Sequence, residues 1–416
     1  MDRRHSRRLI LAAAGVALIL RLAFGLFYWT GKPLTHDERE YLSLADSLSH
    51  GRGFTYADQE TPGAGRRFGR APVYPAFLSL LRVDAKADSV PARIKIVQSV
   101  LGVLAVLLIA AITSTAAGQR AAVIAAWLAA VYPSLVAMPA YIFSETLYLP
   151  LALLCTHLLT VAASQATVTG EAAAGHQRLY RALAAGVVAG TATLVRGGML
   201  VFVPIAAVWL VRRREIALAI AFALAATLMI APWTLRNLRH HGRLIVIASD
   251  GGVTFWTGNH PLARGEGDLA ANPELKRAEV AFRAAHPGLT AEQLEPLYYR
   301  DALRHIRDSP GWWLTLIARK AFYTIVPIGP SYTLHSPKYL FATVVPYALL
   351  APLAIAGFVV ISRYGRPPEP LYLLAGSVML TSLIFFPQER FRLPVIDPLV
   401  IVGAAAAIGG ANRQRS

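Results

Sequence analysis

The chain has 416 residues, 55% of them apolar and only 16% charged, with a net charge of +17. A soluble domain sits nearer a quarter charged, and here the charges cluster between apolar stretches that match the roughly 20 residues a hydrocarbon core requires. A soluble protein is therefore excluded, and so is nucleic-acid binding as the cause of the charge, because the basic residues sit where short cytoplasmic loops collect them.

The N-terminus carries Arg3, Arg4, Arg7 and Arg8, then an apolar run from Leu9 past Arg21 to Trp29. No small-x-small cleavage site follows, so the run is read as an uncleaved first span. Further spans are expected at 96–116, 121–138, 142–164, 182–195, 197–211, 216–232, 339–361, 370–386 and 394–410. The pair at 182–195 and 197–211 meets at Arg196-Gly197-Gly198 and reads as a tight hairpin that need not cross fully. With the N-terminus inside, Arg120, Arg178, Arg181, Arg212, Arg213, Arg214, Arg363, Arg366, Arg413 and Arg415 all fall inside. Counting 312–327 as a span would put the last four of these outside. It is therefore read as an interfacial helix, with Trp312, Trp313 and Tyr323 at headgroup level and Arg319 and Lys320 facing phosphate.

The expected fold class is thus an all-α polytopic membrane protein of about ten transmembrane helices, with two outer-face regions that contain short amphipathic helices. Its parts are an N-terminal membrane module 1–232 with a first outer loop 30–95, an outer-face region 233–338, and a C-terminal membrane module 339–416. A single cysteine, Cys155, rules out a disulfide framework.

The first outer loop opens with Thr35-His36-Asp37-Glu38, a capping-box pattern ahead of helical spacing from Tyr41 to Leu48. Glu38 closes such a cap and Asp37 complements the helix dipole. The same geometry also keeps a carboxylate ionised beside the membrane surface, so a catalytic role stays open next to the structural one. Arg70-Ala71-Pro72-Val73-Tyr74-Pro75 follows in that loop, where a proline-bounded helix start is the alternative to a site. Glu145 borders hydrocarbon at the edge of the fourth span, which makes it either a cap or a functional carboxylate. The glycine-rich segments Ser249-Asp250-Gly251-Gly252 and Phe255-Trp256-Thr257-Gly258-Asn259 read as turns and match no phosphate loop. Arg196, Arg390 and Arg392 stand on the outer face, where the charge rule does not favour them. Guanidinium groups there suit either a lipid phosphate or anchoring to anionic headgroups. No zinc or nucleophile motif is present, so no metal ligand is assigned.

Five stretches in this order resemble the GT-C superfamily of polyprenyl-phosphate-sugar-dependent glycosyltransferases: 37–54, 70–81, 143–151, 231–259 and 389–394. The branch includes protein O-mannosyltransferases and the transferases that add aminoarabinose to lipid A. The resemblance implies an inverting transfer in which Asp37, with Glu38 beside it, acts as general base on an acceptor hydroxyl. It also implies that cations stabilise the departing polyprenyl phosphate. The matching positions are Arg236, Lys320, Arg390 and Arg392, with Arg196, and Arg70, Tyr74 and Glu145 complete the substrate-binding set. The implied partners are a polyprenyl-phosphate-sugar donor, membrane lipid, and a glycan, lipid or protein acceptor, with no nucleic acid. The implied location is a bacterial cytoplasmic (inner) membrane with the site facing outward. Some relatives use a divalent cation and others none, so no cofactor is assigned. The chain departs from larger members by lacking their extra C-terminal spans and domains, and it has Arg-Ala-Pro where many have a second proline. A transporter or flippase, or a polymerase of lipid-linked oligosaccharides, is the competing reading. A transporter should show several mid-span charges and similar halves, whereas Arg21 is the main mid-span charge.

Overall fold

The computed structural model describes residues 2–56, 69–164, 171–330, 334 and 336–410. Arg413 and Arg415 of the expected inner tail lie outside the described residues. Helix α1 (Arg3–Ala23) continues as a π turn over Phe24–Tyr28, and α2 (His36–Ser49) and α3 (Val73–Ser79) follow it. The membrane helices resume with α4 (Ala92–Ala117), α5 (Gln119–Val131), α6 (Pro133–Ala137), α7 (Glu145–Ala163), α8 (Glu171–Val195), α9 (Met199–Arg212) and α10 (Ile216–His241). Four helices then form a compact region: α11 (Gly251–Asn259), α12 (Pro273–Ala284), α13 (Ala291–Asp308) and α14 (Pro310–Ile325). The chain closes with α15 (Pro337–Tyr364), α16 (Glu369–Ile384), α17 (Glu389–Arg392) and α18 (Ile396–Gly409).

Each of the ten expected apolar segments coincides with a helix. Among the described residues, five helices are long and apolar enough to cross a membrane by themselves: α1 with its π turn, α4, α7, α10 and α15. The pair α5–α6, with the 3-10 turn to Ala140, qualifies as a sixth only as a broken span, because it bends by 59°. Helices α9, α16 and α18 are apolar but shorter. Together they make a multi-pass membrane protein.

The bend in α5–α6 explains the mid-span charge. Pro133 has no N–H for the Ala129 carbonyl, and the turn at Tyr132 denies Ala130 its partner. Arg21 supplies both: Nη2 donates to Ala129 O at 3.3 Å and Nη1 to Ala130 O at 3.3 Å. Nη1 also reaches Ala17 O at 3.0 Å, and the side chain is 2% exposed. Gly102 makes room for it, since a Cβ there would lie 2.7 Å from Arg21 Nε.

Small residues bring the helices close, as membrane packing requires. A Cβ on Gly357 of α15 would stand 1.7 Å from Gly403 O of α18, and one on Gly186 of α8 would stand 2.3 Å from Phe222 O of α10. Large apolar side chains such as Ile19, Leu228 and Ile355 are exposed on the outside of the bundle, as a lipid-facing surface would have them.

Helix α10 runs beyond the expected span, through Pro232 to His241, where Gly242 in the left-handed conformation ends it. One expectation needs correction. The glycine-rich stretch 251–259 is a helix and not a turn. Its glycines serve close approach: a Cβ on Gly258 would lie 1.9 Å from Phe385 O, and one on Gly252 would lie 2.5 Å from Glu295 O. Helices α11 to α13 share a small core of Trp256, Leu275, Leu294, Tyr298 and Ala302.

Candidate functional site

Helix α2 begins where the capping box predicts. Thr35 Oγ1 accepts from Glu38 N at 3.4 Å, and Glu38 Oε2 accepts from Thr35 N at 2.7 Å and from Thr35 Oγ1 at 2.8 Å. The other Glu38 oxygen accepts from Ile142 N at 3.0 Å, which ties the loop to the start of α7, and the residue is 2% exposed. Glu38 is thus held by two backbone N–H groups and the Thr35 hydroxyl.

Asp37, one residue earlier, points the other way. Arg70 Nη2 donates to its Oδ1 at 2.5 Å, and Arg390 Nη1 donates to its Oδ2 at 2.5 Å. Burial alone would raise the carboxyl, but the two guanidinium groups outweigh it and hold Asp37 well below the usual carboxylate range. Arg70 also grips Glu40 through Nε at 2.8 Å and Nη2 at 2.5 Å. On the far side, Arg390 Nε lies 3.8 Å from Glu145 Oε1, which accepts from Arg196 Nη1 at 2.7 Å. Aromatic rings hold the guanidinium planes: Tyr41 lies 5.2 Å from Arg70, Phe391 4.2 Å from Arg196 and Phe143 5.4 Å from Arg390.

Separate elements build this cluster. Asp37 comes from the first turn of α2 and Arg70 from the segment before α3. Glu145 starts α7, Arg196 sits on the α8–α9 hairpin turn, and Arg390 lies on the single turn of α17. The hairpin at 196–198 thus delivers an arginine to Glu145. Three carboxylates (Asp37, Glu40, Glu145) face three arginines (Arg70, Arg196, Arg390), so the cluster is formally neutral. The side chains of Asp37, Arg70 and Arg196 are about one fifth exposed and Arg390 about one third (20%, 20%, 21% and 31%), so the cluster has an open edge.

The remaining expected residues lie elsewhere. Arg392 shares a single turn with Arg390, and residues two apart on a helix face opposite ways. Arg392 therefore turns inward, 2% exposed, with Nε 3.3 Å from Asp397 Oδ1 and its guanidinium 4.2 Å from the Tyr347 ring. Lys320 lies in the interior. It is fully buried, donating to Asn259 Oδ1 at 3.0 Å and Leu383 O at 3.1 Å, and burial pushes its amine down to about 7. Trp313, expected at headgroup level, donates Nε1 to the same Asn259 oxygen at 3.1 Å. Tyr74 is a core residue whose OH donates to Gln98 Oε1 at 2.7 Å. Arg236 stacks on Trp233 at 4.7 Å and Phe54 at 6.0 Å, near the end of α10. Of the ten expected residues, the structure brings Asp37, Arg70, Glu145, Arg196 and Arg390 together.

Glu40 and Tyr41 belong to the cluster and were not singled out from the sequence. Their spacing carried the signal, because positions three and four after Asp37 share its helix face. Among the described residues no three histidine, cysteine or acidic side chains group to hold a metal ion.

No family of proteins matches the sequence, and no curated protein sequence matches it. Solved structures do share its fold. The oligosaccharyltransferase of Archaeoglobus fulgidus, tethered with an acceptor peptide, superposes with a TM-score of 0.60 at 16% identity, over 98% of this chain and 49% of that one. The same organism's archaeal oligosaccharyltransferase AglB, in complex with an inhibitory peptide and a dolichol-phosphate, gives 0.56 at 14% identity over 97% and 50%. ArnT of Cupriavidus metallidurans, bound to undecaprenyl phosphate, gives 0.43 at 12% identity over 98% and 78%. The chain spans about half the length of the oligosaccharyltransferase chains it matches. The likeness to the oligosaccharyltransferase chains shows a shared helical membrane fold.

Proposed function

We propose that this protein is an inverting glycosyltransferase that takes a sugar from a polyprenyl-phosphate donor at the outward face of the membrane. The observation that carries the reading is Asp37 with a guanidinium on each carboxylate oxygen, at the edge of a membrane bundle. The acceptor hydroxyl gives its proton to Asp37 as its oxygen attacks the anomeric carbon. The bond from that carbon to the phosphate oxygen breaks on the opposite side, and polyprenyl phosphate leaves with the electron pair. Cations aimed at the departing phosphate stabilise the charge that develops there.

A carboxylate held low by two arginines is a weak base, and a general base works best near the operating pH. A donor phosphate resolves this conflict. Arg390 and Arg196 retain N–H groups beyond those bound to carboxylates, since each guanidinium has five. As Arg390 turns toward the phosphate, Asp37 loses one partner and its basicity rises when the donor is in place. The solved oligosaccharyltransferase with a dolichol-phosphate supports the donor class by its fold. The acceptor is a lipid, glycan or protein hydroxyl.

The test is an in vitro transfer assay with a polyprenyl-phosphate sugar in neutral detergent. Asp37→Asn should lose turnover by ~10²–10⁴-fold, the usual worth of a general base, with the amount of folded protein unchanged. Wild-type turnover in that variant would remove the mechanism.

A further inference from the structure

A charged cavity lies beside the capping box that starts α2. It is partly open, has a volume of about 50 Å³, and is lined by Trp29, Lys32, Ser89, Lys95, Tyr141 and the capping Glu38, among others. None of the reacting groups above uses it.

Lys95 is the unusual residue. It stands in the first turn of α4, where the helix dipole disfavours a cation. Its side chain is 5% exposed, yet the ammonium reaches Gly25 O at 2.9 Å and Trp29 O at 2.5 Å, at the end of the first span. An ammonium has three N–H groups, and these two carbonyls take two of them. The third remains for the cavity that Lys95 lines. Lys32 stands exposed across it, with Nζ 5.6 Å from the Trp29 ring. The Trp29 and Tyr141 rings pack at 5.0 Å and form a wall of the kind that sits at headgroup level. One carboxylate, Glu38, also faces the cavity, and it accepts from Thr35 N, Thr35 Oγ1 and Ile142 N. Two ammonium groups against one carboxylate leave the cavity positive.

We infer that this cavity binds a phosphate group, held by Lys32 and Lys95 with the Ser89 hydroxyl as a further donor, separately from any phosphate at Arg390. The chemistry fits a lipid phosphate headgroup and a free phosphate alike, and the inference stands apart from the transferase reading.

The experiment uses the full chain in neutral detergent and native mass spectrometry. The probes are dioctanoyl phosphatidic acid, dioctanoylglycerol as its phosphate-free counterpart, and inorganic phosphate. One bound phosphatidic acid should weaken about tenfold or more in Lys32→Gln, an exposed change that spares the fold, and further in Lys95→Met. The same binding event should persist in Arg390→Gln. Competition by millimolar inorganic phosphate would mark a free-phosphate site, and lack of competition would mark a lipid headgroup. Wild-type binding of phosphatidic acid in both lysine variants, or equal binding of dioctanoylglycerol, would overturn the inference.

Discussion

Two buried or half-buried cations in this protein have opposite surroundings. Arg390 meets carboxylates, bonding Asp37 and approaching Glu145, at a cluster edge that is about one third exposed (31%). Lys320 is fully buried and meets only neutral carbonyls, those of Asn259 and Leu383. Charged partners hold the first cation fully ionised, and the open edge lets a second anion compete for it. Carbonyls satisfy the second cation's N–H groups without offsetting the cost of burying charge, so it drifts toward neutrality. The charge of the partners separates these two cations. Asn259 adds to the second arrangement by donating Nδ2 to Phe255 O at 2.8 Å and Ile384 O at 2.9 Å, which fastens α11 to the end of α16.

The comparison can be broken first at Arg390. Arg390→Gln is expected to lower transfer by about 10–100-fold, the worth of a lost charge-assisted bond of roughly 1.5–3 kcal/mol. The loss should fall mainly on kcat if the contact strengthens as the phosphate departs. Arg390→Lys should recover little of it, because one ammonium cannot hold Asp37 and a phosphate in a fork. Steady-state kinetics with varied donor read both outcomes, and full activity in either variant would place Arg390 outside the reaction.

Arg21 sharpens the comparison from the carbonyl side. It too bonds carbonyls, those of Ala17, Ala129 and Ala130. Arg21→Leu should destabilise the bundle by about 1–3 kcal/mol through the two stranded carbonyls of the broken helix, partly offset by removing a buried charge. Thermal unfolding in detergent reads this as a lowered Tm, with little change in the activity of the folded fraction. An unchanged Tm would mean that water or a neighbour satisfies Ala129 and Ala130.

The smallest effect is expected at Lys320. Its folded-state pKa is lowered from 10.5 to about 7, so the unfolded chain takes up the proton first as pH falls. This group therefore makes wild type less stable as pH falls from 10.5 toward 7, by at most about 1.4 kcal/mol per pH unit, and adds no slope below that window. Lys320→Met should flatten the difference in Tm between pH 7 and pH 9 and leave transfer within a few-fold of wild type. A pH slope identical in both proteins would show that Lys320 keeps its proton in the fold.

The sequence by itself determined the class of the protein, the position of its apolar segments and the start of α2. Those follow from local rules: hydropathy over some twenty residues, and a capping box four residues long. It also pointed to Asp37, because a carboxylate at a helix start beside the membrane needs no distant partner to be noticed. Which cations join Asp37 was decided only by the tertiary structure. Arg390 and Arg392 look alike in sequence, and the turn of α17 sends one to Asp37 and the other to Asp397. Lys320 and Trp313 look like surface anchors until α11 and α16 close over them. The mid-span Arg21 looks like a cost until the break at Pro133, a hundred residues away, leaves carbonyls that only a buried donor can satisfy. Partners that far apart in the chain are chosen by packing, and no local pattern records that choice.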